Sequence, residues 1–230
     1  MSARARILLT IGFLAMAAVC ARLGIWQVHR LRERRAANAV ALSARSAPML
    51  SLDSSAGVDP VGRRVQARGR YDHTHDITLR GKEYGGVPGV EIVSPLLLDS
   101  THRAVLVSRG FVPSPDAVTA YPDSLREPGE HMVEGIALPI TPGGGAPLQR
   151  GDQTTWARLD LAALRDRLPY PIGAFYIRQS PDTALPRFPR RLDPPLLDDG
   201  PHLSYAIQWF AFAIIAIVFG GIMIRQKSVQ

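Results

Sequence analysis

A single cysteine, Cys20, stands in 230 residues and lies inside an apolar stretch. No intrachain disulfide can form, and cysteine usage leaves the redox compartment open. The chain also lacks a nucleotide-binding glycine loop, paired zinc-type cysteines and a G-x-S-x-G nucleophile elbow. Those absences remove the common catalytic signatures and weigh against an enzyme. There is no internal repeat, and no tract is long or biased enough to mark a disordered chain. The formal net charge is +7, yet the arginines are scattered, with no recognition helix or aromatic RNA-binding signature beside them. Contact with anionic lipid head groups is therefore a better reading of the charge than nucleic acid.

What is present is a strong placement of apolar residues at the two ends. From Ile7 to Trp26 the chain reads ILLTIGFLAMAAVCARLGIW, whose only charge is Arg22. A helix of that length rises roughly 30 Å, enough for a hydrocarbon core. Arg22 lies near the end, where its stem can follow the apolar surface while the guanidinium reaches the head groups. From Tyr205 to Ile224 there is no charge at all, and Arg225 and Lys227 follow. A cleavable signal peptide is the rival reading of the first segment, with Ala15-Met16-Ala17 as its cleavage site. A lipoprotein signal fits less well, because Val19 before Cys20 is bulky. Arg30, Arg32, Arg34 and Arg35 oppose Arg4 and Arg6 in a positive-inside count, whereas Arg225 and Lys227 favour both termini inside and the middle exported.

At about 150 residues per domain, the length leaves room for one extramembrane domain. The expected organisation is a cytoplasmic N-terminus (1–6), a first transmembrane helix (7–27) and its helical extension (28–47). A β-rich exported domain with a proline-rich linker at its end (48–200) follows, then a second transmembrane helix (201–224) and a cytoplasmic C-terminus (225–230). Arginine and alanine sustain the extension, and Pro48 should stop it. Strands are expected over Val65–Tyr71, Asp76–Arg80, Val90–Leu98, Ala104–Val112, Met132–Leu138, Thr155–Leu159 and Phe175–Gln179, with a short helix over Asp160–Arg167. Gly81, Gly85-Gly86, Pro88-Gly89, Asp99-Ser100 and Pro113 punctuate them. Such spacing predicts an α+β membrane protein: two transmembrane helices flanking an antiparallel sheet or small barrel. Thr141 to Ala146 is a flexible loop, and Pro181 to Gly200 an extended linker.

Two groups of residues bear on chemistry. His73 and His75, in Asp72-His73-Thr74-His75-Asp76, would share a face if this were a strand, a weak metal candidate against a solvated turn. His202 opens the uncharged second span, with Tyr205, Ala206 and Trp209 at helical spacing behind it. An interfacial belt accounts for such residues, and so does an axial ligand for haem iron. Since both spans cross one bilayer, Leu23, Gly24, Trp26, Gln27 and Arg30 share a depth with His202 and Tyr205. There Gly24 permits close helix approach, and Arg30 can pair with a carboxylate or propionate.

Five blocks in order resemble the Surfeit locus protein one family. They are Leu23-Gly24-Ile25-Trp26-Gln27-Val28-His29-Arg30, Gly69-Arg70-Tyr71-Asp72, Gly89-Val90-Glu91-Ile92-Val93-Ser94-Pro95-Leu96, Val105-Leu106-Val107-Ser108-Arg109-Gly110-Phe111-Val112-Pro113, and His202-Leu203-Ser204-Tyr205-Ala206-Ile207-Gln208-Trp209-Phe210. Departures from the family pattern are Ser108, Phe111, Val90 and Gly200-Pro201. The resemblance implies an assembly factor for haem-copper cytochrome c oxidase, without catalytic turnover, that carries or stabilises haem a for the largest oxidase subunit. It further implies His202 as haem-iron ligand and a haem a synthase as a possible partner; in a pocket between the two helices, Trp26 and Tyr205 would then pack near the macrocycle and Arg30 would pair with a propionate. A membrane scaffold that never touches haem is the alternative, and a membrane-tethered enzyme a third, weaker one. A short N-terminus without a transit segment points to a bacterial inner membrane.

Overall fold

The computed structural model describes residues 3–53, 57–99, 103–150 and 153–226. Ser100 of the expected Asp99-Ser100 turn and Lys227 of the C-terminal basic flank lie outside them. The chain divides into two compact units, Met1–Leu42 with Leu197–Gln230, and Ser43–Leu196.

The first unit is built on α1 (Ala3–Ser46) and α3 (His202–Gln226), both long and apolar enough to cross a membrane. At 1.5 Å per residue, α1 is roughly 66 Å long, about twice a hydrocarbon core, so only part of it can be immersed. Its buried positions recur at alternating spacings of three and four: Ala17, Cys20, Gly24, Gln27 and Leu31. On α3 the buried stripe is Ala206, Ala213, Ala216 and Gly220, with Trp209 half-buried between them. This is the spacing of an inclined, interdigitating helix pair, and small residues let the backbones approach. Phe210 fills the notch at Gly24, where a Cβ would stand 2.8 Å from the ring, and Phe13 does the same at Gly220, at 2.9 Å. These pairings make the two helices antiparallel. Ile11, Leu14, Ile214 and Ile217, all more than half exposed, form the outer apolar surface, as lipid-facing positions would.

The second unit contains β1 (Leu50–Ser51), β2 (Arg64–Tyr71), β3 (Ile77–Tyr84), β4 (Val87–Leu98), β5 (Ala104–Pro113), β6 (Glu130–Pro139), β7 (Leu148–Arg150), β8 (Gln153–Trp156) and β9 (Ile172–Gln179), with α2 over Leu161–Arg165. The sheet order is β1-β2-β6-β9-β5-β4-β3-β8-β7, and a further β2–β4 pairing closes β2, β6, β9, β5 and β4 into a five-stranded barrel. Pairing is antiparallel except for β1–β2, β5–β9 and β3–β8. Closure occurs where Gly69–Tyr71 meet Leu96–Leu98. Gly69 is required there, because any Cβ would overlap the Leu97 carbonyl. β2 alternates buried and exposed residues, as a half-covered strand should. β5 is buried almost continuously. One of its faces joins Val65, Ala67, Leu96, Val133 and Ile177 inside the barrel, and the other joins Ile77, Leu79, Trp156 and Leu164 under β3 and α2.

His73–His75 form a 3-10 turn between β2 and β3, in keeping with the turn reading of this segment, because the Asp72 carboxylate accepts from the Thr74 amide and halts the extended chain. Two local expectations change. β8 ends at Trp156 instead of reaching Leu159, and Asp160 then caps α2 by accepting from the Ala163 amide. The segment after Ser180 is more than a linker: Arg190 exchanges backbone hydrogen bonds with Phe111, and Arg191 is buried.

Candidate functional site

The head of α3 is set by Gly200, whose φ of +65° turns the chain, and by Pro201, whose carbonyl accepts from the Tyr205 amide and the Ser204 hydroxyl. His202 is the first helical residue. Its Nδ1 lies 2.9 Å from Gln27 Oε1. An amide oxygen can only accept, so in the neutral imidazole this contact places the hydrogen on Nδ1 and leaves Nε2 its lone pair. Gln27 is buried in the α1 seam, so this bond also satisfies a polar group that lipid could not. His202 opens on a cleft of about 440 Å³, together with Arg30, Glu33, Arg34, Asp198 and Gly200.

Both cations of the cleft already have partners. Arg30 lies 2.8 Å from Glu33, and Arg34 lies 3.6 Å from Asp198. These side chains are half exposed or more, and such pairs contribute little and exchange readily. An incoming carboxylate could therefore displace Glu33 or Asp198 at small cost. Of the four residues singled out in the sequence, the structure brings His202 and Arg30 to one cleft. Trp26 and Tyr205, 52% and 45% exposed, face outward instead. Tyr205 follows His202 by three residues and so falls on the edge of the stripe whose centre is occupied by Ala206 and Trp209. Trp26 sits with Arg22 and His29 along another face of α1.

A second polar centre lies within the barrel unit and was not singled out in the sequence. Arg109 on β5 is fully buried; its Nη2 donates to Glu127 Oε1 at 2.7 Å and to the Leu125 carbonyl, and its Nη1 to Ser94 Oγ at 3.3 Å. Arg191 Nη2 reaches the two oxygens of Glu127 at 2.6 and 2.8 Å, and its Nε reaches Gln179 Oε1 at 3.0 Å. Asp76 stands 3.9 Å from Arg109 and 3.1 Å from His73 Nδ1. Two guanidiniums thus face two carboxyls. Burial alone would raise Glu127, but hydrogen bonds from Arg109 and Arg191 hold it below its ordinary value. Asp76 moves up, burial outweighing its bonds to Ser94 and His73. The signal was a lone arginine in the apolar run Val105 to Val112, where a buried charge must find partners.

His73 and His75 do not converge. Each imidazole pairs with a different carboxylate, His73 with Asp76 and His75 with Asp72 at 2.7 Å. Among the described residues, no group of three or more histidines, cysteines or acids is placed to hold a metal ion.

The profile of the SURF1 family matches residues 14–214, which take in most of α1, the whole barrel and the first half of α3. The chain belongs to the SURF1 family. This is a family of cytochrome c oxidase assembly factors. A SURF1-like protein of Monosiga brevicollis is 24% identical over 90% of this chain and 83% of its own length. One of Rickettsia felis is 25% identical over 85% of this chain and 88% of its own. An uncharacterized SURF1-like protein of Mycobacterium bovis is 27% identical over 73% of this chain and 62% of its own. The SURF1 match takes in Gln27, Arg30, Arg109 and His202 alike.

Proposed function

We propose that this SURF1 protein carries or stabilises haem a for insertion into the largest subunit of a haem-copper oxidase, with His202 Nε2 as the iron ligand. The observation that carries the reading is the His202–Gln27 hydrogen bond, which orients the imidazole and leaves Nε2 available. Metal-bound histidines are commonly held through their other ring nitrogen in this way. The cleft suits the polar edge of the group: its lining is polar, and two arginines with exchangeable partners suit propionates. Haem a would supply an iron centre and a long apolar tail, and a carrier in lipid spares it an aqueous transit. In this reading Arg30 receives a propionate and a haem a synthase is the donor, while Trp26 and Tyr205, which face away from the cleft, have no direct part in holding the group. The chain acts as a carrier rather than an enzyme, in a bacterial inner membrane, with the barrel unit in the periplasm.

The test is the absorption spectrum of protein purified from cells that make haem a, comparing wild type with His202→Ala and His202→Tyr. Loss of the haem a bands from inserted, folded variants is expected. Wild-type haem a yield with an unchanged spectrum in either variant refutes the ligand and leaves a scaffold for assembly intermediates as the better account.

A further inference from the structure

Outside the helix pair and the Arg109 network, charge also gathers around a cavity of the barrel unit. This cavity of about 170 Å³ is bounded by Lys82, Glu91, Thr141, Arg158, Tyr176 and Arg178, with apolar walls from Leu79 and Leu159. Three cations face one acid there. None of the three is joined to a carboxylate by an ion pair among the described residues, unlike Arg34, Arg35, Arg109 and Arg191. Arg178 Nε is buried without a hydrogen-bond partner. The single acid is already engaged, since Glu91 Oε1 accepts from Ser108 Oγ at 2.5 Å and Glu91 is only 7% exposed. Adjacent strands fix this arrangement: Ser108 on β5 pairs in register with Arg178 on β9.

We propose that this cavity binds a hydrogen-phosphate group, either free or as a phosphomonoester. Uncompensated cations around a small, partly apolar cavity favour an anion, because low surrounding polarity strengthens each attraction. The size selects a head group. At about 30 Å³ per water, the cavity holds roughly five or six waters, enough for one tetrahedral oxyanion and too little for a nucleotide. Arg158 and Arg178 offer planar forks that match two oxygens at a time, and the hydroxyls of Thr141 and Tyr176 add donors. Glu91 supplies the discrimination, because its other oxygen can accept hydrogen from a P–OH, which inorganic phosphate keeps near neutral pH and a phosphomonoester keeps in its monoanion. Sulfate and phosphodiesters carry no such hydrogen near neutral pH, so they would meet a repelling carboxylate instead.

Titration calorimetry of the full chain in uncharged detergent at low salt tests this, using inorganic phosphate, sulfate and a short-chain phosphatidic acid. Saturable phosphate binding is expected, weakened about tenfold or more by Arg178→Gln and by Arg158→Gln, the loss of a charge-assisted hydrogen bond. Arg158 is exposed, so its variant should fold even if the other does not. Sulfate should bind less well than phosphate. Phosphatidic acid binding more tightly than phosphate and displacing it identifies a lipid source, and phosphate binding alone identifies a soluble one. No saturable binding of phosphate or phosphatidic acid, equal affinity for sulfate, or unchanged affinity in the Arg158 variant overturns the proposal.

Discussion

Glu127→Gln keeps the shape of the side chain and removes its charge from the centre of the barrel network. Arg109 and Arg191, with 0% and 3% of their side chains exposed, would lose the carboxylate they share. Asp76 at 3.9 Å from Arg109 would then be the nearest acid among the described residues. Removing one partner of a buried ion pair costs about 3–5 kcal/mol, mostly the penalty of leaving charge unmatched in a poorly polarisable interior. For a domain of this size, 1 kcal/mol moves the melting temperature by about 2–4 °C, so a fall of roughly 6–20 °C is expected. Near-ultraviolet circular dichroism of the full chain in detergent reads it, because Trp156 lies in the packed core. The sign of the pH dependence adds a second measurement. Glu127 has a folded pKa below its ordinary 4.5, so its contribution is complete above that value and is lost as pH falls through the folded pKa. Asp76 runs the other way: its raised pKa means the folded state holds an extra proton just above 3.8, and that contribution fades as pH rises. Wild type should therefore lose stability on acidification more steeply than Glu127→Gln. A variant melting within about 1 kcal/mol of wild type at neutral pH would show that the guanidiniums find other compensation, and the reasoning would fail.

Gly24→Leu should drive α1 from Phe210 and lower the protease resistance of the inserted helix pair, while Phe210→Ala in the same chain restores it; an unaffected single variant would contradict the close approach at Gly24. A reporter fused to the C-terminus should behave as cytoplasmic, and periplasmic activity from that fusion would reverse the proposed topology.

The parts of the fold that could be read from the sequence are those whose pattern is local. β2, β4 and β5 carry alternation or long β-branched runs, and α3 carries an uncharged apolar run, so their residues announce themselves. β1 and β7 have two and three residues, too few for any period. The barrel's closure depends on Gly69 pairing with Leu98 and lying against the Leu97 carbonyl, a contact between distant segments that no window contains. Arg191 is hidden for the same reason. In a proline-rich stretch it looks solvated, but Glu127, 64 residues away, is its partner. At the membrane site, the shared depth of Gln27, Arg30 and His202 followed from two spans in one bilayer. The outward turn of Trp26 and Tyr205 did not, because helix phase is fixed only when the seam is known.

The contact between Gln27 and His202 has consequences for the whole membrane unit. A seam of alanine, glycine and cysteine permits close packing in several rotations, since small side chains discriminate poorly between neighbouring registers. One buried polar residue changes that. Gln27, only 8% exposed among apolar neighbours, is satisfied in the register that places His202 at 2.9 Å, and a helix slipped by one turn would bury its amide unmatched. The bond engages Nδ1 alone. The pairing that sets the register therefore also selects the tautomer whose Nε2 lone pair is free, and ligation at Nε2 need not break any bond that holds the helices together. Under the proposed reading, haem a could enter and leave without repacking the helix pair, which a carrier requires and a purely structural clamp does not.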